Sequence, residues 1–284
     1  MVEKDWYVVR ALRVLFELRY DEIRPVFCGG TSLSLGWGLI KRFSEDIDFK
    51  IIVPAVSTNA AARAQRRAYR EAVLSAMAAH DFQIIGDAKV RDSSAFFSAD
   101  FNYPSQFSAG QGLRPHLRLE MSFQTPALEP VARSIRSLIS RTQKQDPEVA
   151  EFFCVDPVET AADKLSALAW RVCVRERGGD HDEPTIIRHL HDLAALEQLV
   201  MAAPSFHDLV HRAVLNDSGR GGENAPKDPA ERFAKMSDAL ASDELWAQEY
   251  DEFVQNVSFA AADEVIPFVD ALRAVRRLID KVMN

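Results

Sequence analysis

An α/β amino-terminal domain followed by a helical carboxy-terminal one is the architecture the sequence predicts, on three observations. Short β-branched or alternating runs interleave with amphipathic segments through the first half of the chain, helix-starting signals take over from Asp156, and 284 residues suffice for about two domains. The domains are placed at residues 1–150 and 151–284. A composition of 47% hydrophobic and 27% charged residues excludes disordered, collagen-like and disulfide-scaffold classes. The net charge of −8 argues against general coating of nucleic acid and leaves room for a local basic site. Cys28, Cys154 and Cys173 lie far apart in apolar surroundings, as reduced core thiols do. No run reaches the roughly 18 uninterrupted apolar residues of a membrane span, and Glu3, Lys4 and Asp5 interrupt any leader-like stretch, so a cytoplasmic protein without membrane contact is expected.

The elements follow in order. Val8, Val9, Leu12, Leu15 and Phe16 at helical spacing predict a helix over 6–20. Pro25–Cys28 reads as a strand ending at Gly29-Gly30, and Thr31 opens a run to Ile40 that can form a helix capped by the Thr31 hydroxyl. Asp46–Val53 alternates and then becomes β-branched, as a strand does, while 59–79 is rich in Ala and Arg and lacks Gly and Pro, as a helix does. Runs at 82–90, 95–103 and 116–123 are strand-like, the last with His116, Arg118, Glu120 and Ser122 on one face and Leu117, Leu119, Met121 and Phe123 on the other. Asp156-Pro157-Val158-Glu159 starts a helix through about Glu176, a second runs from Pro184 to about Met201, and helices fill the remainder apart from the Gly/Pro/Asn-rich stretch 216–229.

Chemistry concentrates in Gly29-Gly30-Thr31-Ser32 and Arg42-Phe43-Ser44-Glu45-Asp46-Ile47-Asp48. Two glycines after a strand let the backbone turn closely past a ligand, and the N–H groups of a following helix suit a triphosphate. Asp46 and Asp48, two apart on a strand, project to one face while Ile47 and Phe49 go to the core. Paired hard oxygen ligands suit magnesium, which serves in-line phosphoryl or nucleotidyl displacement.

The order strand, Gly-Gly-Thr/Ser, helix, Asp-x-Asp strand resembles the nucleotidyltransferase (polymerase beta-like) fold, a mixed-sheet domain. Gly29-Gly30-Thr31-Ser32-Leu33 with Arg42-x-Ser44-Glu45-Asp46-Ile47-Asp48 is similar to the AbiEii/AbiGii toxin family of nucleotidyltransferases, which includes the MenT toxins. In the helical half, Ala162–Leu168 with Lys164 and Arg171 resembles the family's lysine motif, and Arg188-His189-Leu190-His191-Asp192 its late Arg-x-x-x-Asp motif. His189 and His191 depart from the acidic and aromatic residues expected there. The resemblance implies a catalytic set of Asp46, Asp48, Lys164 and Asp192, and nucleotide-binding positions at Gly29, Gly30, Thr31, Ser32, Arg42, Ser44 and Arg188. Magnesium would sit on Asp46 and Asp48, with Glu120 as candidate third carboxylate, and Lys164 would balance the charge of an NTP. For Asp192 three roles are open: activating the attacking hydroxyl, orienting Lys164 or completing the metal site. A plain i,i+4 salt bridge to Arg188 is the structural alternative.

Arg63, Arg66, Arg67 and Arg70, at i, i+3, i+4 and i+7, form one basic helix face with no acid between Phe49 and Arg70, which points to RNA. A second basic stretch holds Arg133, Arg136, Arg141 and Lys144. Family resemblance implies transfer of a nucleoside monophosphate to a tRNA 3′ acceptor end, a block of translation and a cognate antitoxin. Transfer to a protein or to itself, and a non-catalytic binding module, are the alternatives. Two neighbouring carboxylates that repel each other without a cation favour the enzyme. A histidine metal site built from His181, Asp182, His189, His191, His207 and His211 is set aside, because His189 and His191 face apart and His207 with His211 lacks a third ligand.

Overall fold

The computed structural model describes residues 1–20, 22–107, 113–179 and 182–283. The chain divides into two compact units, Met1–Gly38 with Phe43–Asp156, and Leu39–Arg42 with Pro157–Asn284. The first unit thus extends past residue 150, because a late strand belongs to its sheet, and Leu39–Arg42 counts with the second.

In the first unit α1 (Val2–Glu17) precedes β1 (Arg24–Cys28), α2 (Gly29–Leu35), β2 (Asp46–Ile52) and α3 (Asn59–Ala78). β3 (Gln83–Arg91), β4 (Phe96–Asn102), β5 (Leu117–Ser122), β6 (Val131–Ile135), α4 (Leu138–Thr142) and β7 (Val149–Cys154) follow. The seven strands form one sheet in the order β3-β4-β5-β2-β1-β7-β6. β2 runs parallel to β5 and β1 parallel to β7, while the other pairs are antiparallel, so the sheet is mixed. Its apolar face, with Phe27, Ile47, Phe49, Phe97, Leu119 and Met121, is buried in one core with Leu12 and Leu15 of α1 and Tyr69 and Val73 of α3. The alternation of β5 places Leu117, Leu119 and Met121 in that core and leaves Arg118 and Glu120 half-buried on the other face.

Three expectations need correction. α1 begins at Val2 rather than at residue 6, because Glu3 and Asp5 favour its first turn. Gly29 and Gly30 lie inside α2 with Cys28 as the N-cap, so Thr31 is not the cap, and α2 ends at Leu35 rather than Ile40. β6 and β7 were not expected: β6 is an exposed edge strand carrying Arg133 and Ser134, which breaks the alternation that would announce it.

Asp5 gives the first unit a pH signature. Burial pushes its carboxyl up to about 6, against the Leu138 N–H that donates to Oδ2 at 2.6 Å. Between an unfolded value near 4 and the native value the folded chain holds a proton that the unfolded chain has lost. This group's favourable contribution is therefore complete below about pH 4 and lost as pH rises through 6. Asp5→Asn should stabilise the protein by on the order of 2 kcal/mol at pH 7.5 and by nothing at pH 4, read as urea midpoints. An unchanged midpoint at pH 7.5 would contradict the assignment.

The second unit contains α5 (Pro157–Val174), a 3-10 turn Pro184–Ile187, α6 (Arg188–Ala202), α7 (Phe206–Asn216), α8 (Pro229–Ser242), α9 (Leu245–Val257) and α10 (Phe268–Met283). α5 packs against α6, α7 and α8, and α6 packs against α10. Asp228 caps α8 by accepting the Glu231 N–H at 2.9 Å, and Pro229 occupies its first position. Among the described residues no helix is long and apolar enough to cross a membrane.

Candidate active site

The first unit presents the Asp-x-Asp pair at the start of β2. Register places Asp46 beside Arg118 and Asp48 beside Glu120 on β5, and antiparallel β4 adds Asp100 beside Arg118 and Ser98 beside Glu120. One polar stripe therefore crosses three strands on the face opposite the core, and Glu120 shares it with both aspartates. Arg118 donates to Asp100 through Nε at 2.8 Å and Nη2 at 3.1 Å, which holds the Asp100 carboxyl below its usual range.

The glycine corner fits this stripe. Gly29 has φ +74°, and a Cβ placed on it would collide with the Asp48 carboxylate, so only glycine lets Asp48 lie over the β1–α2 turn. Gly29→Ala should lower stability by about 1–2 kcal/mol from the left-handed backbone alone, with Asp48 displaced in addition. A urea midpoint equal to the parent's would show that the close approach is not required.

Thr31 and Ser32, expected as hydroxyl donors to phosphate, are buried. The Thr31 hydroxyl donates to the Asp46 carbonyl and so ties α2 to the start of β2, while Ser32 packs beside Cys154, whose thiol burial pushes up to about 11. Thr31 thereby supports the carboxylate strand. Gly30 is buried in the first turn of α2, and Ser44 lies half-buried just before β2.

Sequence reasoning missed the cations around Asp46. Arg114 pairs with Asp46 through Nη1 and has Nε 3.6 Å from Glu45, while Lys4 of α1 pairs with Glu45 and donates to the Arg114 carbonyl at 2.6 Å. The one available signal is that Arg114 extends the polar alternation of His116, Arg118 and Glu120 by one step.

In the second unit Arg42, Lys164 and Asp192 converge. Arg42 reaches Asp192 with Nε to Oδ1 and Nη2 to Oδ2, both at 2.6 Å, and Lys164 Nζ lies 2.8 Å from Oδ2. Burial alone would raise the Asp192 carboxyl, but the charges of Arg42 and Lys164 hold it well below the usual range. Burial lowers the Lys164 ammonium, against the pull of Asp192. A carboxylate so held stays ionised and orients Lys164, which makes it unsuited to accepting a proton. Arg42, expected to contact nucleotide, grips Asp192 in bidentate fashion and lies over the Phe253 ring at 5.5 Å. Arg188 lies 3.9 Å from Glu183. His191, standing where an aromatic residue is expected, acts as one: its ring packs 5.9 Å from Phe253 and 6.2 Å from Tyr250.

The basic face of α3 is not continuous. Arg63 and Arg67 are exposed, Arg67 pairs with Glu71 at 2.8 Å, Arg66 lies over Phe123, and Arg70 is buried. Glu71, one residue past the acid-free interval, supplies the offset. In the second basic stretch Arg133 stacks on Trp37 at 3.8 Å, and Arg141 donates to the Ser34 and Leu35 carbonyls at the end of α2.

Among the described residues no three His, Cys, Asp or Glu side chains are arranged as a metal cage. His207 and His211 are 3.1 Å apart at Nε2, and His181 lies outside the described residues. The Asp46–Asp48–Glu120 stripe nevertheless has the donor chemistry of a hard divalent cation: three carboxylates on one face, packed against a glycine that leaves room for one of them.

Residues 10–278 match the family described as "Nucleotidyl transferase AbiEii toxin, Type IV TA system". Among solved structures the chain is similar to MenT4, a nucleotidyltransferase toxin from Mycobacterium tuberculosis H37Rv, with 16% identity and a TM-score of 0.49 over 99% of this chain and 94% of that one. The comparison with curated proteins gave no match.

Proposed function

The chain belongs to the AbiEii family of nucleotidyltransferase toxins, and from that premise we propose that it transfers a nucleoside monophosphate from an NTP to the 3′ hydroxyl of an RNA, most simply a tRNA acceptor end, and so blocks translation. The observation that carries the reading is the carboxylate stripe over the Gly29 corner. The attacking hydroxyl oxygen forms a bond to the α-phosphorus, the bond from that phosphorus to the bridging oxygen breaks, pyrophosphate departs with the electron pair, and the hydroxyl proton passes to solvent. Asp46, Asp48 and Glu120 would hold magnesium, which when bound supplies neutralising charge at the reacting phosphate. Lys164 neutralises phosphate charge as a point cation, and Asp192 with Arg42 fixes its direction. Arg63 and Arg67 on α3 are the members of the basic face open to an RNA backbone.

The family brings with it an NTP substrate and a toxin–antitoxin setting. A cognate antitoxin and a cytoplasmic site of action complete the reading. The acceptor is tested with total tRNA carrying intact or periodate-oxidised 3′ ends, magnesium and labelled NTP. Label on intact tRNA only is expected. Equal labelling of oxidised tRNA would place the acceptor elsewhere, and label on protein alone would make the chain a protein-modifying enzyme.

A further inference from the structure

α7 carries two histidines one helical turn apart, and their rings converge. Phe206, Leu209, Val210, Ala213 and Val214 bury one side of this helix, which leaves His207, Asp208 and His211 together on the exposed side. His207 Nε2 stands 3.1 Å from His211 Nε2, with the ring centroids 4.4 Å apart. His207 Nδ1 lies 2.9 Å from Asp208 Oδ1, and since a carboxylate accepts, the ring nitrogen is the donor. That bond fixes the N–H of the neutral His207 ring on Nδ1 and turns the lone pair of Nε2 toward His211.

Two nitrogen ligands about 2.0–2.1 Å from one metal ion, at an angle between octahedral and tetrahedral, stand about 2.9–3.3 Å from each other. The separation of the two Nε2 atoms falls inside that interval. A carboxylate on the outer ring nitrogen is the arrangement that orients a ligating histidine and raises its basicity, and Asp208 supplies it. Among the described residues no third His, Cys, Asp or Glu joins the pair, which excludes a closed cage and leaves the remaining coordination positions to water. Imidazole nitrogens suit zinc, copper and nickel, whereas magnesium demands oxygen.

We infer that His207 and His211 form a two-histidine site for a divalent transition-metal ion of the zinc class, with Asp208 as its positioning residue. The site differs in kind from the carboxylate stripe of the first unit, because borderline nitrogen donors and hard oxygens select different ions. Coordination through Nε2 leaves the N–H of each ring on Nδ1. Any proton held between the two Nε2 atoms passes to solvent, and the cation exchanges two of its waters for the two nitrogens. By joining residues one turn apart the ion stabilises α7, which packs against α5 and α10.

Zinc chloride is the probe, titrated calorimetrically into the full chain with magnesium in excess to hold the oxygen sites. His207→Ala and His211→Ala should each weaken the tightest zinc-binding event at least about tenfold, because a single remaining imidazole has no chelate partner. His80→Ala, at an exposed histidine on α3–β3, should match the parent. Asp208→Ala should weaken zinc about tenfold, whereas Asp208→Asn, whose amide oxygen still accepts the Nδ1 hydrogen, should stay within about threefold. Copper should bind more tightly than zinc. In a nuclear magnetic resonance titration zinc should shift the ring signals of both histidines and magnesium neither. The substituted side chains lie on the exposed side of α7, so circular dichroism melting without zinc should match the parent in every variant. Parent-like zinc affinity in either folded histidine variant, or ring signals indifferent to zinc, would overturn the assignment and leave a plain hydrogen bond between two surface imidazoles. The proposed nucleotidyl transfer uses none of the three residues, so the two ideas fail separately.

Discussion

Asp46→Asn should reduce nucleotidyl transfer by at least about a thousandfold while leaving the melting curve near that of the parent. The carboxylate lies on the polar face of β2, opposite Ile47 and Phe49, so the core does not depend on it. Asparagine keeps the size and one acceptor oxygen, but loses the charge that the Arg114 guanidinium answers and that the proposed divalent cation would require. Asp48→Asn should behave alike, since Asp48 pairs in register with Glu120 and lies over Gly29. Release of pyrophosphate from NTP in the presence of tRNA is the readout, with circular dichroism melting beside it. Retained turnover within tenfold of the parent in both variants would remove the Asp-x-Asp pair from the chemistry.

The largest stability effect is expected at Asp192. Asp192→Ala strands the Arg42 guanidinium and the Lys164 ammonium, both almost fully buried, without their shared counter-charge. Leaving buried charges uncompensated costs about 3–5 kcal/mol. Asp192→Asn keeps a hydrogen-bond acceptor and should lose less. Since the carboxyl is held well below the ordinary value near 4, its contribution is present throughout the neutral range and disappears only as pH falls through that depressed native value. Urea unfolding at pH 7 and pH 5 should therefore give the same Asp192→Ala deficit, whereas a deficit under about 1 kcal/mol would mean that the three charges are solvated.

Local pattern and long-range contact were legible to different degrees. The alternation of β5 and the β-branched end of β2 are written in adjacent residues, because a strand with one buried face must alternate, and the glycine of the β1–α2 corner is the one residue that tolerates both its φ and its neighbour Asp48. β6 was illegible for the converse reason: an edge strand with Arg133 and Ser134 need not alternate. The electrostatics depend on pairs that no local pattern records. Arg114 and Lys4 meet across 110 positions, and Arg42 and Asp192 across 150. Orienting Lys164 was one of three roles open for Asp192, and folding brings both Lys164 and Arg42 to that carboxylate. Likewise the four arginines of α3 have a common helical face in sequence, yet packing buries Arg70 and turns Arg66 onto Phe123.

The most direct test of the central claim is incubation of the purified protein with each α-labelled NTP in turn, magnesium and total tRNA, beside Asp46→Ala. Label on RNA with at least one NTP, absent in Asp46→Ala, is the predicted result. No label from any of the four nucleotides, or equal labelling by Asp46→Ala, would contradict it.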